Sequence, residues 1–223
     1  MASAEYKQKQ HEHLYKVLMI GEFGVGKTSL IKRYTEGTFS PNYKLTIGVD
    51  FAVKNIQWNE HTKINMQLWD IAGHERFGHM TRVYYKYAIA AVIVFDLARQ
   101  ATFDAVVKWL DDVHSKVVLM NEEPVPCLLL ANKFDLEEIS LNPDHLDNFC
   151  KKHNIIGWFP TSAKMGIGLE EAMNHLIKHI VKLEERMNDM KMRPIEGVDA
   201  ITIMEDNNGG DDDDIPKKRC CDI

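Results

Sequence analysis

The chain reads as an α/β domain built on a mostly parallel sheet, and three observations carry that reading. First, Gly21-Glu22-Phe23-Gly24-Val25-Gly26-Lys27-Thr28 is a complete GxxxxGK[ST] loop. It sits between an apolar run, Leu14 to Ile20, and a helix-like segment, Ser29 to Tyr34. Second, Ile89 to Phe95 and Val125 to Ala131 are continuous apolar runs, the pattern of parallel strands buried on both faces. Third, apolar residues recur at helical spacing in the segments that follow those runs. Strands alternating with helices imply helices packed on a parallel sheet.

Each element follows from its own residues. Residues 1–13 are polar and are expected to form a flexible extension. Leu14 to Ile20 reads as a buried strand, and the glycine loop leads into the first helix. Val49, Phe51 and Val53 alternate within Val49 to Trp58, as do Ile64, Met66 and Leu68 further on, so two half-buried strands are expected. Asn59-Glu60-His61-Thr62 between them reads as a hairpin turn, which makes the sheet mixed. Phe103, Val106, Val107, Leu110 and Val117 fall on one helical face. Leu169, Ala172, Met173, Leu176, Ile177, Ile180 and Val181 do so more cleanly. Near residue 190 the composition changes. Pro194, Gly197, Asn207 to Gly210 and the acidic run Asp211 to Asp214 cannot bury a core, which predicts a disordered tail over 190–223 after a domain over 14–189.

Composition narrows the function. At 45% apolar residues the chain can bury a substantial core, and a net charge of −6 leaves no basic field for nucleic acid. The four cysteines, Cys127, Cys150, Cys220 and Cys221, include no CxxC pair, and the N-terminus carries no apolar leader. That combination points to a reducing, cytosolic compartment. No stretch approaches the roughly 18 apolar residues of a membrane span, so membrane association requires a partner or a lipid.

The chemistry lies in five signals in order along the chain. Glycines in the 21–28 loop let backbone N–H groups turn toward one anion, and the following helix N-terminus adds the positive end of its dipole. Lys27 reaches the β/γ-phosphates of a nucleotide in such a loop, and the Thr28 hydroxyl ligates Mg²⁺. Thr46-Ile47-Gly48 places a second threonine where it can reach the same metal when a γ-phosphate is present. In Asp70-Ile71-Ala72-Gly73, Asp70 can hold Mg²⁺ through water and the Gly73 amide can meet the γ-phosphate. Asn132-Lys133-Phe134-Asp135 supplies a carboxylate that accepts two hydrogen bonds from the N1 and N2 donors of guanine, which adenine lacks. Ser162-Ala163-Lys164 offers backbone N–H groups to the guanine O6. Alone, each has an ordinary alternative: a glycine turn, an Asp-Gly turn after a strand, a solvated loop. A P-loop kinase or ATPase shares the first signal but not the guanine-selective one.

These residues resemble the Ras superfamily of small GTPases over roughly residues 14–183. Within it, Ile47-Gly48-Val49-Asp50-Phe51, Trp69 to Phe77 and Tyr84-Tyr85-Lys86-Tyr87-Ala88 are similar to Rab segments. Ile71 and Met80 to Tyr85 look most like the Rab subgroup associated with lysosome-related organelles and mitochondria-adjacent membranes. The resemblance implies a P-loop GTPase domain with a six-stranded, mostly parallel sheet, one antiparallel edge strand and helices on both faces. It implies GTP and GDP binding with Mg²⁺ held by Thr28, Thr46 and, through water, Asp70. The implied nucleotide contacts run from Gly21 through Ser29 (Glu22, Phe23, Gly24, Val25, Gly26, Lys27 and Thr28 between them), then Phe39, edge-on against the guanine, Tyr43, Thr46, Gly73, Asn132, Lys133, Asp135, Ser162, Ala163 and Lys164. Lys27, Gly73 and the residue at position 74 are implied in catalysis. Ile47 and the aromatic triad Phe51, Trp69 and Tyr84 are implied in effector binding, although ordinary core packing accounts for the triad equally well. The implied mechanism is a switch: γ-phosphate and Mg²⁺ order two segments, about 39–48 and 72–86, and hydrolysis releases them. Exchange factors, GTPase-activating proteins, a dissociation inhibitor, a prenylation escort and effectors are the implied partners of a monomer on an endomembrane, with a cytosolic pool and no nucleic acid.

The chain departs from the family at two places. Where most relatives carry glutamine to orient the attacking water, this chain has His74, and imidazole cannot present an amide's donor and acceptor together. Slow hydrolysis and a long-lived GTP state are expected, with two alternatives: a nearly constitutive scaffold, or ordinary cycling driven by a GTPase-activating protein, with His74 and Phe23 as lineage variation. Phe23 replaces a small residue in the phosphate loop, where its ring could crowd an arginine entering in trans. His175 and His179, four apart with no third ligand, read as a solvated face, and Thr81 as an unmodified surface threonine. Cys220 and Cys221 resemble the doubly geranylgeranylated Rab terminus; Asp222 makes a CaaX signal poor. Two lipid chains are what stable anchoring requires, and Asp211 to Asp214 oppose the pull of Lys217, Lys218 and Arg219.

Overall fold

The computed structural model describes residues 11–42, 44–73, 81–119, 122–136 and 141–192. His74, Tyr43, Cys220 and Cys221 lie outside these, as does the side chain of Thr81. Twelve elements follow in order: β1 (His11–Ile20), α1 (Lys27–Glu36), β2 (Val49–Gln57), β3 (Thr62–Ile71), α2 (Thr81–Tyr85), β4 (Ala90–Asp96), α3 (Gln100–Asp104), α4 (Val106–Lys116), β5 (Cys127–Asn132), α5 (Pro143–Lys152), β6 (Trp158–Thr161) and α6 (Leu169–Met192). The six strands form one sheet in the order β2-β3-β1-β4-β5-β6. All neighbours are parallel except β2 and β3, the predicted hairpin, which leaves β2 as the antiparallel edge.

Alternation along the strands divides the core into two layers. Val17 and Met19 of β1 and Leu128 and Leu130 of β5 face α1 and α6, where Leu30, Tyr34, Met173, Leu176 and Ile177 meet them. Leu18, Ile20, Ile93 and Leu129 face the other way, toward Trp109 and Val113 of α4 and Leu146 of α5. Burying a side chain of this size contributes about 1.5–3 kcal/mol. The apolar stripe of α6 is the one read from the sequence.

Besides shifts of one to three residues at other element ends, among them α6 running to Met192 past the domain end expected at 189, three features differ from the sequence reading. β1 begins at His11 and takes in Glu12 and His13, which the pattern assigned to the N-terminal extension. These polar residues pair in register with Thr62, Lys63 and Ile64 at the start of β3, so backbone hydrogen bonds extend the strand beyond its apolar part. The predicted face from Phe103 to Val117 is split between α3 and α4, with Ala105 between them; Trp109 and Val113 are buried there while Val107 is only half-buried. α5 carries a signal the pattern reading passed over: Asn142 is its N-cap, its side chain accepting from the His145 N–H (3.1 Å), with Pro143 in the first turn.

Candidate nucleotide-binding site

Each functional segment except Thr46-Ile47-Gly48, which precedes the antiparallel β2, lies at the C-terminal end of a parallel strand. The glycine loop follows β1, Asp70 is near the end of β3, Asp96 ends β4, Asn132 ends β5, and Ser162 follows β6. Open α/β sheets bind ligands along that edge. A cavity of about 450 Å³ lies there, large enough for a nucleotide. It is lined by residues from all the predicted segments, among them Lys27, Thr28, Phe39, Thr46, Gly73 and Asp135.

The phosphate end is built around Lys27. Its ammonium is buried (6% exposed) and donates to the carbonyls of Gly21 (2.8 Å) and Glu22 (3.0 Å). Burial pushes its pKa down to about 8, only partly opposed by Asp70 and Glu22. A buried ammonium at that value is poised to regain its full charge beside an anion. Gly26, in the left-handed region (φ 102°), caps α1 with no side-chain cap, which leaves the first-turn amides of α1 directed at the cavity. Gly73 closes over the loop: a Cβ there would sit 2.6 Å from the Glu22 carbonyl carbon and 2.7 Å from Phe23 Cα, so only glycine fits.

Thr28, Thr46 and Asp70 converge beside it. The Thr28 and Thr46 hydroxyls are 2.8 Å apart, Thr28 donates a short hydrogen bond to Asp70 Oδ2, and Thr46 Oγ1 lies 3.4 Å from the same oxygen. Asp70 Oδ1 is buried with no hydrogen-bond partner among the described residues. Burial raises the Asp70 pKa, against the bonds from Thr28 and the charge of Lys27. Two hydroxyls and a carboxylate with an unsatisfied oxygen are the hard donors that suit Mg²⁺, so the residues present fit that ion.

The base end is built around Asn132 and Asp135. Asn132 Nδ2 donates to the Val25 carbonyl (2.7 Å), fastening the base loop to the phosphate loop. Ser162 donates to Asp135 Oδ1 (2.6 Å), and Lys164 Nζ lies 3.9 Å from Oδ2, so the carboxylate is fixed in orientation. Lys133 adopts φ 69°, strain of a kind that persists at functional sites. Phe39 lies in the cavity wall under the Arg33 guanidinium, 6.0 Å from its ring.

Of the predicted nucleotide contacts, Gly21, Glu22, Val25 and Ser162 are outside the cavity lining and act from behind it, through Lys27, Asn132 and Asp135. The Ala72 N–H donates to the Gly48 carbonyl (3.0 Å), tying the two expected switch segments together. Phe51 and Trp69 stack at 5.7 Å and 22°, and Lys16 Nζ lies 3.6 Å over the Trp69 ring. Phe51 and Ile47 are exposed, while Trp69 and Tyr84 pack against the core. His175 bonds the Ile156 carbonyl (3.1 Å), and no metal-binding cluster exists among the described residues. Sequence reading missed Arg99, which donates to the Phe23 carbonyl, and Trp109, whose Nε1 donates to Glu22 (3.1 Å). Both come from elements outside the motifs. Among the described residues no helix is long and apolar enough to cross a membrane.

Comparison with known proteins shows the family to which the chain belongs. The model of the Ras family matches residues 16–182. Ras-related protein Rab-32B of Dictyostelium discoideum is 63% identical over 172 residues, which are 77% of this chain and 66% of that protein. Ras-related protein Rab-32 of Mus musculus is 47% identical over 99% of this chain and 96% of its own length. Ras-related protein Rab-7L1 of Homo sapiens is 48% identical over 77% of this chain and 84% of its own.

Proposed function

The chain belongs to the Ras family, as a Rab GTPase of the Rab32 subgroup that binds and hydrolyses GTP, and from that premise we propose a membrane-anchored switch in endolysosomal traffic. The observation that most supports the switch itself is the convergence of Thr28, Thr46 and Asp70. Thr46 comes from the segment before β2, and Gly73 closes on the phosphate loop from the segment after β3. Each of the two expected switch segments therefore touches the place where a γ-phosphate and its metal would sit.

In this reading Lys27 and the α1 amides hold the phosphates, Asp135 selects guanine, and Gly73 presents its amide to the γ-phosphate. Thr28, Thr46 and Asp70 would hold Mg²⁺, which neutralises charge developing on the transferred phosphoryl. His74, which takes the sequence position of the relatives' water-orienting glutamine, slows turnover in this reading. Effectors read Ile47, Phe51, Trp69 and Tyr84 in the GTP state, and exchange factors, GTPase-activating proteins and a dissociation inhibitor drive the cycle. Geranylgeranyl chains on Cys220 and Cys221 hold the protein on the cytosolic face of an endomembrane. A scaffold that barely hydrolyses GTP is the second reading, favoured by His74 and by Phe23, whose exposed ring (57%) stands at the cavity mouth.

Two experiments on the full chain test the proposal. In single-turnover hydrolysis with Mg²⁺, His74→Gln is expected to be about tenfold faster than wild type, the order of one positioned hydrogen bond. Equal or slower turnover refutes the role of His74. In fractionated cells the Cys220→Ser, Cys221→Ser double variant is expected in the cytosol, and its retention on membranes refutes the lipid anchor.

A further inference from the structure

We propose that Arg99 is a positioning residue that ties the phosphate loop to the base loop and slows release of bound guanine nucleotide. Asp96, at the end of β4, is buried (its side chain 1% exposed) and receives two cations on one oxygen: Arg99 Nε at 2.8 Å and Lys133 Nζ at 2.7 Å. Burial alone would raise the Asp96 pKa, but bonds from Lys133, Arg99 and the Ala98 N–H hold it below the usual carboxylate value. The carboxylate is therefore a fixed anion at neutral pH. Lys133 belongs to the base loop, so Asp96 anchors that loop from beneath.

The other edge of the Arg99 guanidinium faces the phosphate loop. Its Nη2 donates to the Phe23 carbonyl (2.8 Å), its Cζ lies 5.7 Å from the centre of the Phe23 ring, and a Cβ on Gly24 would stand 3.6 Å from Nη2. One planar group thus spans Asp96 and Phe23, a bridge that the guanidinium fork makes and an ammonium does not. The turn presenting it is rigid. Thr102, itself buried, donates to the Arg99 carbonyl (2.7 Å) and accepts from the Asp96 N–H (2.9 Å), and the Arg99 N–H donates to the Asp96 carbonyl (2.9 Å).

The two loops grip opposite ends of a nucleotide, and release requires one of them to move away. Asn132 to Val25 is a first tie between them, on the cavity side. Asp96–Arg99–Phe23 is a second, on the outer side, with no group in common with the first. The Arg99 side chain is 37% exposed, so solvent weakens its bonds and the expected effect is moderate.

The test measures release of a fluorescent N-methylanthraniloyl GDP from Mg²⁺-loaded full-length protein under excess unlabelled GDP. Arg99→Ala is expected to release it roughly tenfold faster than wild type, the equivalent of one charge-assisted hydrogen bond. Arg99→Lys, which keeps the cation and can pair with Asp96 but cannot span to Phe23, is expected to stay within about twofold of Arg99→Ala. Thermal unfolding of each loaded variant reads fold integrity separately. Release from Arg99→Ala at the wild-type rate, or full restoration by Arg99→Lys, overturns the proposal. Wild type that takes up no label overturns the assignment of the site itself, and the proposal with it.

Discussion

Asp135→Asn is expected to weaken GDP binding by about 10²–10⁴-fold, from two hydrogen bonds to a charged group at about 1.5–3 kcal/mol each. The carboxylate is 12% exposed, and Ser162 fixes its Oδ1 at 2.6 Å. It therefore cannot rotate freely to seek other partners. Guanine presents N1–H and N2–H₂ donors along that edge, and a carboxylate accepts both. An asparagine amide presents one acceptor and one donor, so its NH₂ group faces another donor. Xanthine carries a carbonyl in place of the N2 amine and accepts from that NH₂. The variant is accordingly expected to prefer xanthosine diphosphate to GDP. Competition titration against labelled GDP measures both effects, and GDP affinity within about threefold of wild type would remove Asp135 from the base site.

Lys27→Met carries the second large effect, at the phosphate end. The Lys27 pKa of about 8 is set by burial, and phosphate oxygens nearby restore the charged form. GDP binding to wild type is therefore expected to take up protons, more at pH 9 than at pH 7. Calorimetry in buffers of different ionisation enthalpy measures this uptake. Lys27→Met is expected to abolish it and to cost at least about 100-fold in affinity, since more than one charged hydrogen bond is lost. The same residue shapes stability. Because the folded, nucleotide-free chain holds this proton less tightly than the unfolded chain does, stability falls as pH drops from about 10.5 to about 8. Below that it is level with respect to this group. The penalty amounts to about 3 kcal/mol and is absent in Lys27→Met. Proton uptake at pH 9 that persists in Lys27→Met would assign the titration elsewhere.

How much of this was legible in the sequence depended on whether function and neighbours lie close in the chain. The Gly21 to Thr28 loop, Asp70, Asn132 to Asp135 and Ser162 to Lys164 were readable because each is a short segment whose chemistry is local. That they meet at one cavity follows from the parallel sheet, which delivers all of them to one edge. Arg99 was not readable, because its partners are Asp96, three residues back, and Phe23, seventy-six residues away, and no spacing rule links them. Trp109 was hidden for the same reason: its bond to Glu22 exists only once α4 lies against the sheet. The N-terminal end of β1 escaped because His11, Glu12 and His13 are polar, and strand pairing with β3 supplies what apolar burial does not. The break at Ala105 between α3 and α4 carries no glycine or proline to announce it.

In the proposed switch, nucleotide state governs two surface segments through Thr46 and Gly73. Hydrogen–deuterium exchange compares it most directly, on the full chain loaded with Mg²⁺ and either GDP or the non-hydrolysable guanosine β,γ-imidotriphosphate. The account predicts slower exchange over residues 39–48 and 72–86 in the triphosphate state, with β1, β4 and β5 unchanged. Equal exchange over both segments in the two states would contradict it.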